Sequence, residues 1–279
     1  MGNPVQWTEL VMKTPWKVAV LAAMGAVGVT AMVLGASVGT AGQAGRSAQA
    51  GMVPRAADGK PDFSGIWQVM STANGNILPH AASEDGPAGM GVVEGGELPY
   101  QPWAVQKRGE NYKNRLTADT DAKCFLPGVP RIMYEPFPFQ ISQTPAAVMM
   151  FFEYEHAVRN IFMNTAHPHG PIEWWMGDSR GTWDGDTLVV DVVHFGNETW
   201  FDRTGNHHSE QLHVVERYNF LDADHINYEA TIEDVKVFTR PWKMNMVFYR
   251  HKEPKFQLLE YECYTFDDEA AGNLKPPTR

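Results

Sequence analysis

From residue 137 onward the chain is a succession of short apolar stretches, many of them alternating with polar positions and separated by turn residues. Ala147 to Glu155 (AVMMFFEYE), Val158 to Met163 (VRNIFM), Leu212 to Leu221 (LHVVERYNFL), Ile226 to Ile232, Met244 to Arg250 and Phe256 to Tyr264 each read as a strand. A period of two lays alternate side chains on opposite faces of a sheet. Gly185-Asp186 lies between Gly181-Thr182-Trp183 and the run Thr187–Val193, the spacing of a two-residue hairpin, read here as type I′. Asp222-Ala223-Asp224 is a second turn. No long amphipathic helix separates these strands. The pattern predicts a mainly β domain built as an antiparallel meander, a barrel or a sandwich, and argues against βαβ units.

Upstream the pattern loosens. Residues 71–99 are polar and glycine-rich and read as a long surface excursion. Residues 100–118 (YQPWAVQKRGENYKNRLTA) predict a short helix with Pro102 in its first turn. Pro136 and Pro138 make 135–140 a poor central strand and an expected exposed rim.

The N-terminus follows a third pattern. Val18 to Val38 is a run of 21 residues without a charged side chain. As a helix it spans about 32 Å, against about 30 Å for a hydrocarbon core. Lys13 and Lys17 stand just before it, so the positive-inside rule keeps the N-terminus cytoplasmic and sends the rest across. Trp7 and Trp16 precede the run as expected membrane-interface aromatics. A cleaved signal peptide, cut near Ser37 to Ala41, is the rival reading; the long run and a leader containing Glu9 favour a retained anchor. The expected organisation is a cytoplasmic leader (1–17), a transmembrane anchor (18–38), a flexible tether (39–61), a β-rich extracytoplasmic domain (62–266) and an extended tail (267–279). The expected location is the inner membrane, single-pass, with the main domain periplasmic.

Composition changes this picture little: 43% hydrophobic and 20% charged residues are globular values. Charge excludes more. The formal net charge is −10, and residues beyond 42 carry 21 basic against 32 acidic side chains. With no Lys/Arg stripe to offset it, this sign repels phosphate backbones, so nucleic acid is not an expected partner.

Two cysteines are present, Cys124 and Cys263. In an exported domain such a pair can form a disulfide, here fastening the irregular 119–130 segment to the last expected strand. Two separate buried thiols are the other reading. A catalytic cysteine is disfavoured, because neither a CxxC partner nor a helix N-terminus is near.

The candidate chemistry is diffuse. Histidines His156, His167, His169, His194, His207, His208 and His213 with Glu210 or Asp202 supply zinc-type ligands at no diagnostic spacing, which leaves a metal site undecided. Asp178, Asp184, Asp186, Asp191, Glu198 and Asp202 supply carboxylates for glycoside chemistry, although the hairpin turn explains Asp184 and Asp186 more cheaply. There is no G-x-S-x-G, P-loop or dinucleotide motif, and no catalytic residue, cofactor or cofactor-binding residue is assigned. Aromatic side chains are more informative. Trp174 and Trp175 point to opposite faces if extended, so one faces outward; with Trp200 they are the candidate interface aromatics.

Gly65-Ile66-Trp67 resembles the GxW near the start of lipocalin-type barrels, where the Trp closes one barrel end, and this tips the fold toward a lipocalin-like barrel. The blocks Pro61–Trp67 (PDFSGIW), Cys124–Arg131 (CFLPGVPR), Phe152–His156 (FEYEH), Thr182–Asp191 (TWDGDTLVVD) and Tyr228–Asp234 (YEATIED) are similar, in order, to those of a family of uncharacterised secreted bacterial proteins. The resemblance covers roughly residues 60–265, includes both cysteine positions and brings no activity. The anchor departs from that family's ordinary signal peptide. It resembles a secreted domain recruited as an accessory, extrinsic subunit of a membrane assembly, such as a Gemmatimonas-type photosynthetic reaction centre–antenna complex. The implied role is non-enzymatic stabilisation of that assembly from its periplasmic face. The implied partners are other membrane subunits, reaction-centre and light-harvesting polypeptides among them, and the lipid bilayer. The alternative is a periplasmic enzyme or small-ligand-binding barrel.

Overall fold

The computed structural model describes residues 53–83, 86–261 and 271. The expected leader, anchor, Trp7, Trp16, Cys263 and the tail beyond 271 lie outside the described residues. Among the described residues no helix is long and apolar enough to cross a membrane.

Nine strands form one closed barrel in chain order. They are β1 (Gly65–Val69), β2 (Phe139–Gln143), β3 (Ala147–Phe152), β4 (Val158–Met163), β5 (Asp178–Asp184), β6 (Thr187–Val193), β7 (His213–Asp222), β8 (His225–Glu233) and β9 (Trp242–Arg250). The mainly β class is therefore observed, and of the barrel and sandwich left open by the alternation the chain forms the barrel. Closure comes from β1, which pairs with β2 on one side and β9 on the other.

The meander is not antiparallel throughout: β4 and β5 run parallel through Ile161–Met163 and Ser179–Gly181. Parity requires such a pair. An odd number of sequentially adjacent strands cannot alternate direction around a ring, so one neighbouring pair must run the same way. The crossover joining them, residues 164–177, carries Trp174 and Trp175.

The expected strand Phe256–Tyr264 is absent over its described part, Phe256–Tyr261. Both edges of β1 are already paired, which leaves no vacant ladder at closure. The expected exposed rim 135–140 is also corrected. Pro136 is exposed, but Pro138 and Phe139 are buried and Phe139 opens β2, where Pro138 stands just outside the ladder. The hairpin at Gly185-Asp186 is present, with Gly185 at φ +60°. Asp186 does not share the positive φ, so the turn is of the II′ kind rather than I′.

Alternation fills the barrel. Trp67, Phe139, Met150, Ile161, Val190, Val214, Tyr218, Tyr228, Met244 and Phe248 point inward and are almost wholly buried. At the start of the chain's barrel, Trp67 donates its indole N–H to the Phe63 carbonyl at 2.8 Å. The Arg250 guanidinium lies 4.1 Å from the Trp67 ring centroid and donates to the Ser64 carbonyl at 2.8 Å. Gly65, at φ +139°, leaves room for that guanidinium.

The long β1–β2 insertion is not a free excursion. Ala73, Ile77 and Val93 are buried, and helix α1 (Pro102–Lys113) starts with Pro102 in its first turn. Tyr100 bridges to Phe238, and Phe201 and Phe238 both meet Trp242 edge-on beside it. The insertion and the 194–212 loop together pack on the barrel core. Residues 53–61, expected as tether, are pinned where Arg55 donates two hydrogen bonds to the Asp186 carboxylate, both at 2.6 Å.

Candidate functional site

Inside the barrel the apolar phase of two strands carries a charge. Arg159 on β4 and Glu216 on β7 are both buried and form an ion pair, with Arg159 Nη1 at 3.0 Å from Glu216 Oε1. Tyr218 and Tyr228 donate to the same carboxylate oxygen at 3.0 and 2.9 Å, and Arg159 Nε donates to Ser179 Oγ at 3.2 Å. Burial alone lowers an arginine pKa, but Glu216 beside it raises that of Arg159. The network is mutually satisfied and occupies the interior, so its role is structural.

A second buried cluster lies under the 119–135 loop. Arg131 binds Asp119 at 2.9 Å, Asp121 at 2.9 Å and Glu135 at 3.2 Å. Tyr154 donates to Asp121 at 2.7 Å. Burial, reinforced by the Asp121 carboxylate, pushes Glu135 up to about 8, and the same two causes push Glu155 up to about 8. Carboxylates outnumber guanidiniums here, so protons supply the missing positive charge.

Among the described residues an aromatic groove opens on the outer surface, beside the β4–β5 seam. Its cavity of about 420 Å³ is walled by Trp174, Trp175, Leu126 and Phe162. Phe125 packs on Trp175 with ring centroids 5.2 Å apart, and His194 stands edge-on to Trp174 at 6.0 Å. Along its side runs an acid–histidine series. His167 is 2.6 Å from Asp178, which also takes two hydrogen bonds from Arg180, and His213 is 2.6 Å from Asp191. The hydrogen bond that His213 donates to Asp191 raises the His213 pKa, and the same bond lowers that of Asp191. Burial works upward on Asp178, yet hydrogen bonds from Arg180 and His167 bring it below the ordinary value.

Of the expected interface aromatics, Trp174 and Trp175 meet in this groove and Trp200 does not. Trp200 is only 8% exposed, bridged to His207 in a loop whose turn Asp202 holds from within. The remaining candidates disperse. Asp184 pairs with Arg217 and Asp186 with Arg55, each facing outward to a guanidinium rather than to a second carboxylate. Glu198 is exposed, Glu210 pairs with Lys236, and His156 is exposed at a left-handed turn. His207 is held between Tyr100 and Trp103, where burial lowers its pKa to about 4. His208 is buried, accepting from or donating to Thr199 Oγ1 at 2.8 Å, and burial lowers it too. Among the described residues no group of three or more His, Cys, Asp or Glu side chains converges on a metal position. Cys124 ends a 3-10 turn at φ 61°, and the pairing with Cys263 lies outside the described residues.

Reasoning from sequence missed Val158, Phe162, Leu126 and Glu173 at the groove. The available signal was the phase of VRNIFM: if Arg159 points inward, Val158 and Phe162 point out. No family model matches the chain. A search of curated proteins likewise finds no match.

Proposed function

We propose that the chain is a non-enzymatic, membrane-anchored accessory subunit that stabilises a membrane protein complex from its periplasmic face. The observation that supports this reading is the filled barrel. Trp67, Phe139, Tyr218, Tyr228, Phe248 and the Arg159–Glu216 pair occupy the volume in which an open barrel holds a ligand. A barrel packed this way acts through its outside, as a rigid body presenting loops and an apolar groove. A photosynthetic reaction centre with its light-harvesting ring is the assembly suggested by the anchor-like N-terminus joined to such a secreted domain, and its polypeptides are the proposed partners. The small-ligand and enzyme alternatives need convergent polar groups in a deep apolar pocket.

Gentle detergent extraction followed by native separation and identification of co-migrating polypeptides tests the proposal. Co-migration at fixed stoichiometry with intrinsic membrane subunits, and loss of the assembly's stability on deleting this chain, are expected. Migration as a lone species under conditions that keep other complexes whole would overturn it.

A further inference from the structure

The ring of strands has one parallel seam, and the groove opens there. The parallel ladder covers only Ile161–Met163 and Ser179–Gly181. Below it, Val158–Asn160 run beside Trp174–Asp178 without a ladder, so β4 presents an open stretch of backbone edge. Beside the outward Asn160, the groove's side chains are apolar and wet: Val158 is 53% exposed, Phe162 44% and Trp174 38%, with Phe125, 48% exposed, packed on Trp175 at its rim. Single exposed apolar residues are ordinary on a protein surface; several around one cavity mark an interaction site.

The charges at the groove are nearly all matched. Asp178 is held by Arg180 and His167, and Arg159 in the floor is held by Glu216. Glu173 on the rim is the exception: among the described residues it makes no ion pair. The groove therefore complements an apolar anchor adjoining a positive charge, on a chain whose net charge is −10.

We infer that the groove binds an extended segment of a partner polypeptide, which adds along the open edge of β4, sets an aromatic or aliphatic anchor against Trp174 and Phe162, and places a Lys or Arg at Glu173. This deepens the accessory-subunit reading and rests on it. Strand addition supplies main-chain hydrogen bonds for affinity, and the pocket and the rim charge supply selectivity. A volume of about 420 Å³ suits one large side chain and its neighbour rather than a whole helix face. An acyl chain fits less well, because the open backbone edge and Asn160 need hydrogen-bond partners that hydrocarbon lacks.

The full chain in detergent, immobilised and panned with a phage-displayed random dodecapeptide library, tests this. Enrichment of peptides with Trp, Phe or Leu next to Lys or Arg is expected. A synthesised winner should lose about tenfold or more in affinity against Trp174→Ala, as for a truncated anchor. The exposed-site variant Val158→Lys should weaken it without moving the melting temperature. Glu173→Lys should reverse the charge preference of a second panning. No enrichment, winners indifferent to Trp174→Ala and Val158→Lys, or binding of phosphatidylglycerol vesicles in place of peptides would each overturn the inference. The wild-type chain, Trp174→Ala and Val158→Lys are also carried through the native separation described above. If wild type and variants co-migrate equally with partners, the groove assignment fails and the subunit reading stands. If the wild type migrates alone, the subunit reading fails while the panning still decides the groove.

Discussion

At the scale of single residues the barrel depends on a charge pair in its middle. Arg159 and Glu216 are buried with four further hydrogen-bonding groups arranged on them: Ser179, Tyr218, Tyr228 and the Met133 sulfur. Removing one partner leaves an uncompensated buried charge, a cost of about 3–5 kcal/mol. Glu216→Leu is therefore expected to lower the unfolding free energy in urea by that amount. The double variant Arg159→Met/Glu216→Leu should recover part of it, remaining about 2 kcal/mol below the parent because two tyrosine hydroxyls are left unpaired. A double variant no better than the single would show that the pair's geometry, not its charge, carries the stability. The Arg131 cluster makes a second prediction, about pH. Glu135 and Glu155 hold their protons to about 8 in the folded chain, against an ordinary value of 4.5. Their contribution to stability is complete below 4.5 and is lost as pH rises through about 8, because the folded state binds the protons the unfolded state has released. His207 and His208 act oppositely, since lowered folded values make stability fall as pH drops below 6.5. The two effects offset between 4.5 and 6.5, and the carboxyls prevail above it. One pH unit across a fully shifted group is worth about 1.4 kcal/mol; with Glu155 discounted for its partial exposure, the loss from pH 6.5 to 8 is about 2 kcal/mol. Urea unfolding across this range should show it, and Glu135→Gln should flatten the profile. A stability that rises through this interval would contradict the assignment.

At the scale of elements the β4–β5 seam stands apart. It is the parallel pair that nine strands require, it is the shortest stretch of shared ladder beside its neighbours, and Gly181 lets β4 and β5 approach. A Cβ on Gly181 would lie 2.5 Å from the Met163 sulfur and 2.9 Å from Ile161 Cγ2. Gly181→Ala should therefore destabilise the domain by about 1–3 kcal/mol, as overpacking does. Amide hydrogen exchange should also open Ile161–Met163 before the long β7–β8 ladder. Uniform protection around the ring would refute the idea of a weak seam. Why some of this was legible in the sequence, and some not, follows from the same elements. Strands β6, β7 and β8 alternate without ambiguity, and the β5–β6 turn carries its own Gly, so they could be read directly. Strand β4 is apolar on both phases, with Ile161 and Met163 on one and Val158 and Phe162 on the other. Only its long-range partner Glu216 settles which phase faces in, and nothing local reveals that partner. The Trp174-Trp175 pair was visible because both faces of an extended segment cannot be buried there. Trp200 was misread because Asp202 folds its loop inward through hydrogen bonds to Ile77, Thr204 and Asn206, which hydropathy does not register.

At the scale of the whole molecule, closure decides what the domain needs from the rest of the chain. Among the described residues, strand β1 joins β9 directly, and the buried apolar core runs from side chains at Phe63 to Phe248. Among the described residues the N-terminal ties start at Arg55, whose fork on Asp186 spans the β5–β6 turn, and continue at Pro61, whose carbonyl accepts from Gln143. The proposed work of the leader and the apolar run is location rather than folding. A chain beginning at Val53 is therefore expected to fold, and to melt within about 2 °C of the full chain, since a change of 1 kcal/mol in a domain this size moves the midpoint by only about 2–4 °C. Starting instead at Phe63 removes the Arg55 fork and the Pro61 carbonyl, and should lower the midpoint by several degrees. The same pair of truncations separates stability from assembly. If residues 1–52 act as an anchor, the Val53 chain is released from membranes and its co-migration with partner subunits weakens by the loss of effective concentration, while its groove still binds peptide. A Val53 chain that folds only in the presence of residues 1–52 would mean that the N-terminal segment is part of the barrel's own structure, and would remove the basis for treating it as a separate device for placing a finished domain at a membrane surface.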